Sequence, residues 1–247
     1  VSLARLTDRV SYRRLFPGKQ PFYQRYPYSG HVSARSVDSR GCIDLDLGFF
    51  CNRIPKAANS TVVASLAGLK LQREVGSKEA KRLFKRPSAL STTELDRLDS
   101  LFKFAVVRNP FSRTLSAYLD KVQRKQELGT WRGKRHDFHS FLRWMEQGAL
   151  HSNAHWAPQT SLLLLPQEQF DFFGRVESLD QDLDTILSQI RRGSADTAPP
   201  ARMHAVMSNA TGARDKLERY YTGATRDLVL KLYAEDFEGL GYRLDFE

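Results

Sequence analysis

The chain has 247 residues, 41% apolar and 27% charged, which is the balance of a folded globular protein and excludes a largely disordered one. Thirty-eight Lys and Arg outnumber 28 Asp and Glu, and the net charge of +10 points to anionic partners such as nucleic acid, anionic lipid, phosphorylated cofactors or acidic polysaccharide. Two cysteines exclude a disulfide-built scaffold, and no apolar run reaches the roughly 18–20 residues that cross a bilayer.

Residues 1–40 are rich in Arg and Tyr with little periodicity and read as an irregular arm; their apolar pieces are too short and too often broken by Arg for a signal peptide. In "CIDLDLGFFCNRI" Ile43, Leu45 and Leu47 alternate with Asp44 and Asp46 before an apolar run, a strand pattern. Cys42 and Cys51 lack C-x-x-C spacing and read as plain small residues, and their scarcity leans toward a reducing compartment. A helix is predicted over 60–72, with Val63, Leu66, Ala67 and Lys70 on one face. The segment 70–86 carries seven Lys or Arg against two Glu, so it is either a solvated face or a basic surface for a glycan.

Ser91 and Glu94 have capping-box spacing and open a helix with Leu95, Leu98 and Leu101 inward. "FKFAVVR" (102–108) reads as a buried strand stopped by Asn109-Pro110, followed by a helix over 111–127 with Phe111, Leu115, Tyr118, Leu119 and Val122 on one face. Residues 121–135 hold six basic residues and one Glu in a loop-like setting, a second basic stretch open to the same two readings. A helix over 138–148, a loop over 151–159 and short strands in "SLLLLP" and "FDFFGRV" come next. Ser178 and Gln181 then cap a helix that buries Leu179, Leu183, Ile186, Leu187 and Ile190. A polar loop over 191–200 and helices over 213–221 and 225–237 complete the chain. Strands alternating with helices argue an α/β fold with a mainly parallel sheet, and without a repeat or linker the expectation is one domain over 1–247.

Two strand ends carry the chemistry. In "FFCNRIPKAANSTV" a strand runs through a tight loop into a helix, whose first N–H groups and dipole favour an anion. Ala57 and Ala58 let a phosphate sit close, Asn59, Ser60 and Thr61 add donors, and Lys56 adds a charge. The glycines of G-x-x-x-x-G-K-[ST] are missing and the lysine precedes the small residues, which disfavours an ordinary ATPase or GTPase; the plain alternative is that Asn59 or Ser60 only caps the helix. "FAVVRNPFSRTLSAYLDK" repeats the plan: Arg108 ends a strand and Ser116 lies in the next helix, with Arg113 between them. A parallel sheet sets the two strand ends side by side, as one ligand with two separate phosphates requires.

At these residues the sequence resembles the carbohydrate sulfotransferases, the family of Golgi enzymes sulfating chondroitin, dermatan and related glycans, together with its bacterial members. "IPKAANST" resembles the family's 5′-phosphosulfate loop and "VVRNPFSRTLSAYLDK" its 3′-phosphate segment; "NAHWAPQ", "FDFFGRVESLDQDL" and "LVLKLYAEDFEGLGY" follow in order, so the resemblance spans about 43–243. It implies a P-loop-like three-layer α/β fold, 3′-phosphoadenosine 5′-phosphosulfate as donor, a carbohydrate acceptor, no metal and no nucleic-acid partner. Carried over, Pro55, Lys56, Ala57, Ala58, Asn59, Ser60 and Thr61 hold the 5′-phosphosulfate, and Arg108 and Ser116 the 3′-phosphate. The family's animal members are membrane-anchored, whereas this chain shows no anchor and few cysteines; the expectation is a cytoplasmic bacterial setting, or a Golgi lumen if an upstream anchor has been trimmed.

Sulfuryl transfer needs donors at the leaving oxygen, a base for the acceptor hydroxyl and exclusion of water, demands it shares with phosphoryl transfer. Lys56 is the candidate for the leaving oxygen. Among the histidines, His155 in "HWAPQ" is the preferred base, with Trp156 beside it to stack on a sugar or to pack the loop. Glu177 is the rival base and His204 a third candidate, while His31 lies in the arm and His136 and His139 read as exposed. Two other functions compete: a kinase of unusual loop sequence using Asp44 and Asp46, and a non-catalytic basic module for polysaccharide or nucleic acid, although the familiar nucleic-acid motifs are missing.

Overall fold

The structure is a computed structural model and describes residues 19–128, 130–131, 134–193 and 212–246. Its centre is a four-stranded sheet: β1 (Gly41–Asp44), β2 (Phe49–Arg53), β3 (Phe102–Val107) and, later in the chain, β6 (Phe172–Arg175), in the order β1-β2-β3-β6. β2 runs parallel to β3 and β3 to β6, while β1 pairs antiparallel with β2. The mainly parallel α/β sheet read from the sequence is therefore present. The stretch 42–54 is not one strand but a hairpin, because the chain reverses at Gly48 with φ 71° and the Asp44 carboxylate accepts the Asp46 and Leu47 N–H groups across the turn.

Successive strand residues point to opposite faces, and the helices sort accordingly. Phe49, Cys51, Phe104 and Val106 pack against α3 (Asn59–Leu71) and α8 (Leu179–Gly193), with Val63 and Leu66 of α3 and Leu183 and Ile186 of α8 in that layer. Phe50 and Ile43 face the other layer, which includes α1 (Pro21–Arg25), α2 (Ala34–Asp38) and α5 (Thr92–Asp96). A third cluster joins α6 (Pro110–Ala117), α7 (Phe138–Trp144), α9 (Leu217–Tyr220), α10 (Gly223–Leu232) and α11 (Ala234–Gly239). Between α3 and α5 lies α4 (Ser77–Leu83), and a small ribbon is formed by β4 (Thr130–Trp131) and β5 (Lys134–Arg135).

Several expectations change. The described part of the arm is not irregular: α1 and α2 bury Phe22, Tyr23 and Val37, and the Asp38 carboxylate accepts bonds from the Tyr23 hydroxyl at 3.0 Å and the Ser88 N–H at 2.9 Å. The rest of the arm, most of the 191–200 loop and His204 lie outside the described residues. "SLLLLP" is not a strand. Its first residues form a 3-10 turn, Thr160–Leu162, and the buried Asn52 side chain donates to the Leu162 carbonyl and accepts the Leu164 N–H, so a side chain supplies what a neighbouring strand would have. Lys70 leaves the buried face of α3 and pairs with Asp44. The capping box at Ser91 and Glu94 forms as expected. No helix among the described residues is long and apolar enough to cross a membrane.

Candidate active site

The two strand ends stand side by side. Beyond β2 the chain bends through Lys56 at φ 67° and Ala58 at φ 49°, both left-handed and neither glycine, before α3 begins at Asn59. Such residues cost about 1–2 kcal/mol each, and a structure keeps them only where the surroundings dictate the bend. No side chain caps α3, which leaves its first-turn N–H groups directed at the loop. Beyond β3, Arg108 donates from Nη1 to the Lys56 carbonyl at 3.3 Å and from Nε to Ser112 Oγ at 2.8 Å. Both ends open on one cleft of about 540 Å³.

Of the residues assigned to the phosphosulfate loop, Pro55, Lys56, Ala58, Asn59, Ser60 and Thr61 line this cleft, as do Arg108, Ser116, His155 and Glu177. Ala57 does not: its side chain is buried in the core and its N–H donates to the Ile54 carbonyl at 3.3 Å, so neither faces the cleft. Arg53 donates to Asn59 Oδ1 at 3.2 Å, which leaves the amide NH2 of Asn59 as its donor.

Arg113 has a different task from gripping a ligand. It is 1% exposed and donates to the carbonyls of Pro55 at 3.0 Å, Ala157 at 2.8 Å and Ala154 at 3.2 Å. One buried guanidinium thus ties the Lys56 loop to the loop carrying His155. Asp236, also buried, accepts the Gln159 and Thr160 N–H groups at 2.8 and 2.9 Å, while the Gln159 amide exchanges two bonds with the Arg108 backbone.

His155 sits half-buried, its Nδ1 2.7 Å from Asn153 Oδ1. An amide oxygen only accepts, so Nδ1 carries the proton and Nε2 keeps its lone pair. Burial, with Lys121, Arg40, Lys56 and Arg113 nearby, lowers its pKa to about 3 and keeps the ring neutral at physiological pH. Glu177 is engaged at both oxygens: Oε1 accepts the Asn109 N–H at 2.9 Å and Oε2 the Tyr242 hydroxyl at 3.2 Å. That arrangement suits holding the turn after β3 better than proton abstraction. Trp156 is only 3% exposed, donates to the Ala149 carbonyl at 3.1 Å and packs edge-on to Phe141 and Trp144; it holds the loop and presents no face to a sugar. His136 is buried, contrary to the exposed reading, while His139 is exposed.

Cations from the two basic stretches, which the sequence left open between a solvated face and a glycan surface, also line the cleft: Lys81 from the first, and Lys121, Arg124 and Lys125 from the second. Elsewhere the first stretch is a solvated face, with exposed pairs such as Arg73–Glu79 and Lys85–Glu94. Arg214 lines the cleft from the chain's later part. A signal for part of this set was available. Arg108, Ser112, Ser116, Asp120 and Arg124 recur every four residues and all line the cleft. At about 3.6 residues per turn an α-helix would let such a stripe drift; α6 passes into a π-helical segment, Tyr118–Arg124, whose wider turns drift the other way. Asp44 and Asp46, by contrast, flank the opposite end of the sheet, since Asp44 pairs with Phe49 at the start of β2, and this removes the acidic partners of the kinase reading. Among the described residues no group of three or more His, Cys, Asp or Glu side chains is placed to hold a metal ion.

The α/β sheet brings two neighbouring strand ends to one basic cleft. A family profile described as "Sulfotransferase family" matches residues 42–243, and the chain belongs to that family. It is similar to carbohydrate sulfotransferase 10 of Gallus gallus, 28% identical over 194 residues covering 64% of this chain and 52% of the relative. The Homo sapiens carbohydrate sulfotransferase 10 is 26% identical over 64% of this chain and 52% of its own length, and Mus musculus carbohydrate sulfotransferase 14 is 31% identical over 42% of this chain and 31% of its own. The chain thus spans about half the length of the carbohydrate sulfotransferase 10 relatives. No solved structure matches significantly.

Proposed function

We propose that the protein moves a sulfuryl group from 3′-phosphoadenosine 5′-phosphosulfate to a hydroxyl of a carbohydrate acceptor by in-line displacement. The observation that carries this reading is the shared cleft, in which the Lys56 loop and Arg108 are joined by a direct hydrogen bond. The residues fit the donor: uncapped N–H groups at the start of α3 with Asn59, Ser60 and Thr61 suit a 5′-phosphosulfate, and Arg108 with Ser116 suits a 3′-phosphate. When bound, the donor supplies the sulfuryl group and a phosphate leaving group.

Lys56 meets the charge that develops on the leaving oxygen. His155 takes the acceptor proton at Nε2, with Asn153 fixing the tautomer from the other ring nitrogen. Its depressed pKa makes it a weak base amid cations, and an anionic donor beside Lys56 offsets those charges and strengthens it. Arg113 keeps the Lys56 and His155 loops in register, and Glu177 holds the turn after β3. Cations beyond those assigned to the donor, Lys81, Lys121, Arg124, Lys125 and Arg214, favour an acidic glycan as acceptor.

Calorimetry comparing adenosine 3′,5′-bisphosphate with ATP tests the donor. Selective binding of the bisphosphate is expected, and preference for ATP would remove the reading. A screen of acidic and neutral glycans with radiolabelled sulfate donor then names the acceptor. Salt-sensitive binding to polysaccharide without transfer would favour the non-catalytic module.

A further inference from the structure

The cleft contains a buried ion pair that donor binding leaves unexplained. Lys56 Nζ and Asp120 Oδ2 lie 3.0 Å apart, each side chain only 10% exposed. Asp120 belongs to the π-helical segment, the departure from α-geometry that keeps it on the cleft side. Its other oxygen takes Arg124, with Lys125 at 3.7 Å.

The groups around Lys56 are mostly cations. Lys121 approaches from the same helix, Arg108 from the end of β3, and neutral His155 from the 151–159 loop. Asp120 is the carboxylate paired with Lys56, while Glu177 and Asp215 line the cleft elsewhere. Burial lowers the Lys56 pKa, Arg108 and Lys121 push the same way, and the hydrogen bond and charge of Asp120 oppose all three. Asp120 feels the reverse: burial works to raise its carboxyl, but Lys56, Arg124 and Lys125 bring it down to about 2. A lysine confined among cations without its carboxylate would shed its proton or swing away.

We propose that Asp120 is a positioning residue for sulfuryl transfer, its carboxylate holding the Lys56 ammonium in the cleft and keeping it charged. The purpose of this clamp rests on the sulfotransferase reading; its existence does not.

The test is pulsed acetic anhydride labelling of Lys56 across a pH series, read by mass spectrometry, in the wild type, Asp120→Asn and Asp120→Glu. Because anhydride acylates only the free amine, the labelling midpoint reports the Lys56 titration. The midpoint is expected to fall by about one to three pH units in Asp120→Asn and to stay near the wild-type value in Asp120→Glu. Equal midpoints in the wild type and Asp120→Asn would overturn the proposal. A reciprocal measurement holds if Asp120→Asn does not fold: in Lys56→Met the Asp120 carboxyl, followed by NMR, is expected to titrate at higher pH than in the wild type measured alongside, and an unchanged titration would overturn the clamp. Adenosine 3′,5′-bisphosphate binding to the same wild-type sample tests the donor reading separately, since its loss leaves the labelling result intact.

Discussion

The two strand ends that form the cleft solve the same problem by opposite means. After β2, left-handed residues at Lys56 and Ala58 leave the start of α3 uncapped, so that end offers backbone N–H groups. After β3, Asn109 caps α6 by accepting the Phe111 N–H at 2.9 Å, and Pro110 occupies the first helical position. That second helix start is closed, so its end offers side chains: Arg108, Ser112 and Ser116. An anion can thus be held by main chain at one point and by charge at another, and mutation should separate the two.

The largest effect is expected at the main-chain end. Lys56→Ala should lower kcat for sulfate transfer by about 10²–10³, the loss typical of removing one donor to developing charge, with less effect on donor KM. Equal losses in Lys56→Ala and Arg108→Ala, each in KM alone, would erase the division of labour. At the side-chain end, Arg108→Ala should weaken adenosine 3′,5′-bisphosphate by about ten- to hundredfold in calorimetry, since a hydrogen bond to a charged group is worth roughly 1.5–3 kcal/mol.

Asn109→Ala sharpens the comparison differently. It removes a cap and should cost about 1 kcal/mol in urea unfolding, whereas Ala58→Gly, at a position with no cap to lose, should retain bisphosphate binding. The last effect concerns pH and accumulates only below about pH 6.5. The folded pKa of His155, about 3, lies below its unfolded value near 6.5, so the unfolded chain binds more protons between them. Its contribution to stability is present above pH 6.5 and is lost as pH falls toward 3. His155→Gln should therefore flatten the acid limb of the stability curve, by at most about 1.4 kcal/mol per pH unit.

The parts legible in the sequence are those with short-range causes. β-Branched residues marked β3, Asn109-Pro110 marked its stop, and Ser91 with Glu94 marked a helix start. The parts that were not legible depend on distant partners. Trp156 stayed open between a sugar platform and loop packing because its neighbours in space, Phe141 and Trp144, lie in a separate helix, α7. "SLLLLP" looked like a strand because nothing local announces that Asn52 will supply its hydrogen bonds. Arg113 had no assigned task in the sequence until three carbonyls from two loops converged on it.

By itself the sequence determined β3 with its stop, the helix start at Ser91 and the mainly parallel α/β character of the sheet, because hydrophobic period, β-branching and turn chemistry act over a few residues. Only the tertiary structure decided that Lys56 is paired with Asp120, that Ala57 turns inward and that Trp156 is core. Burial and long-range pairing set those outcomes, and both depend on which segments meet once the chain has closed on itself.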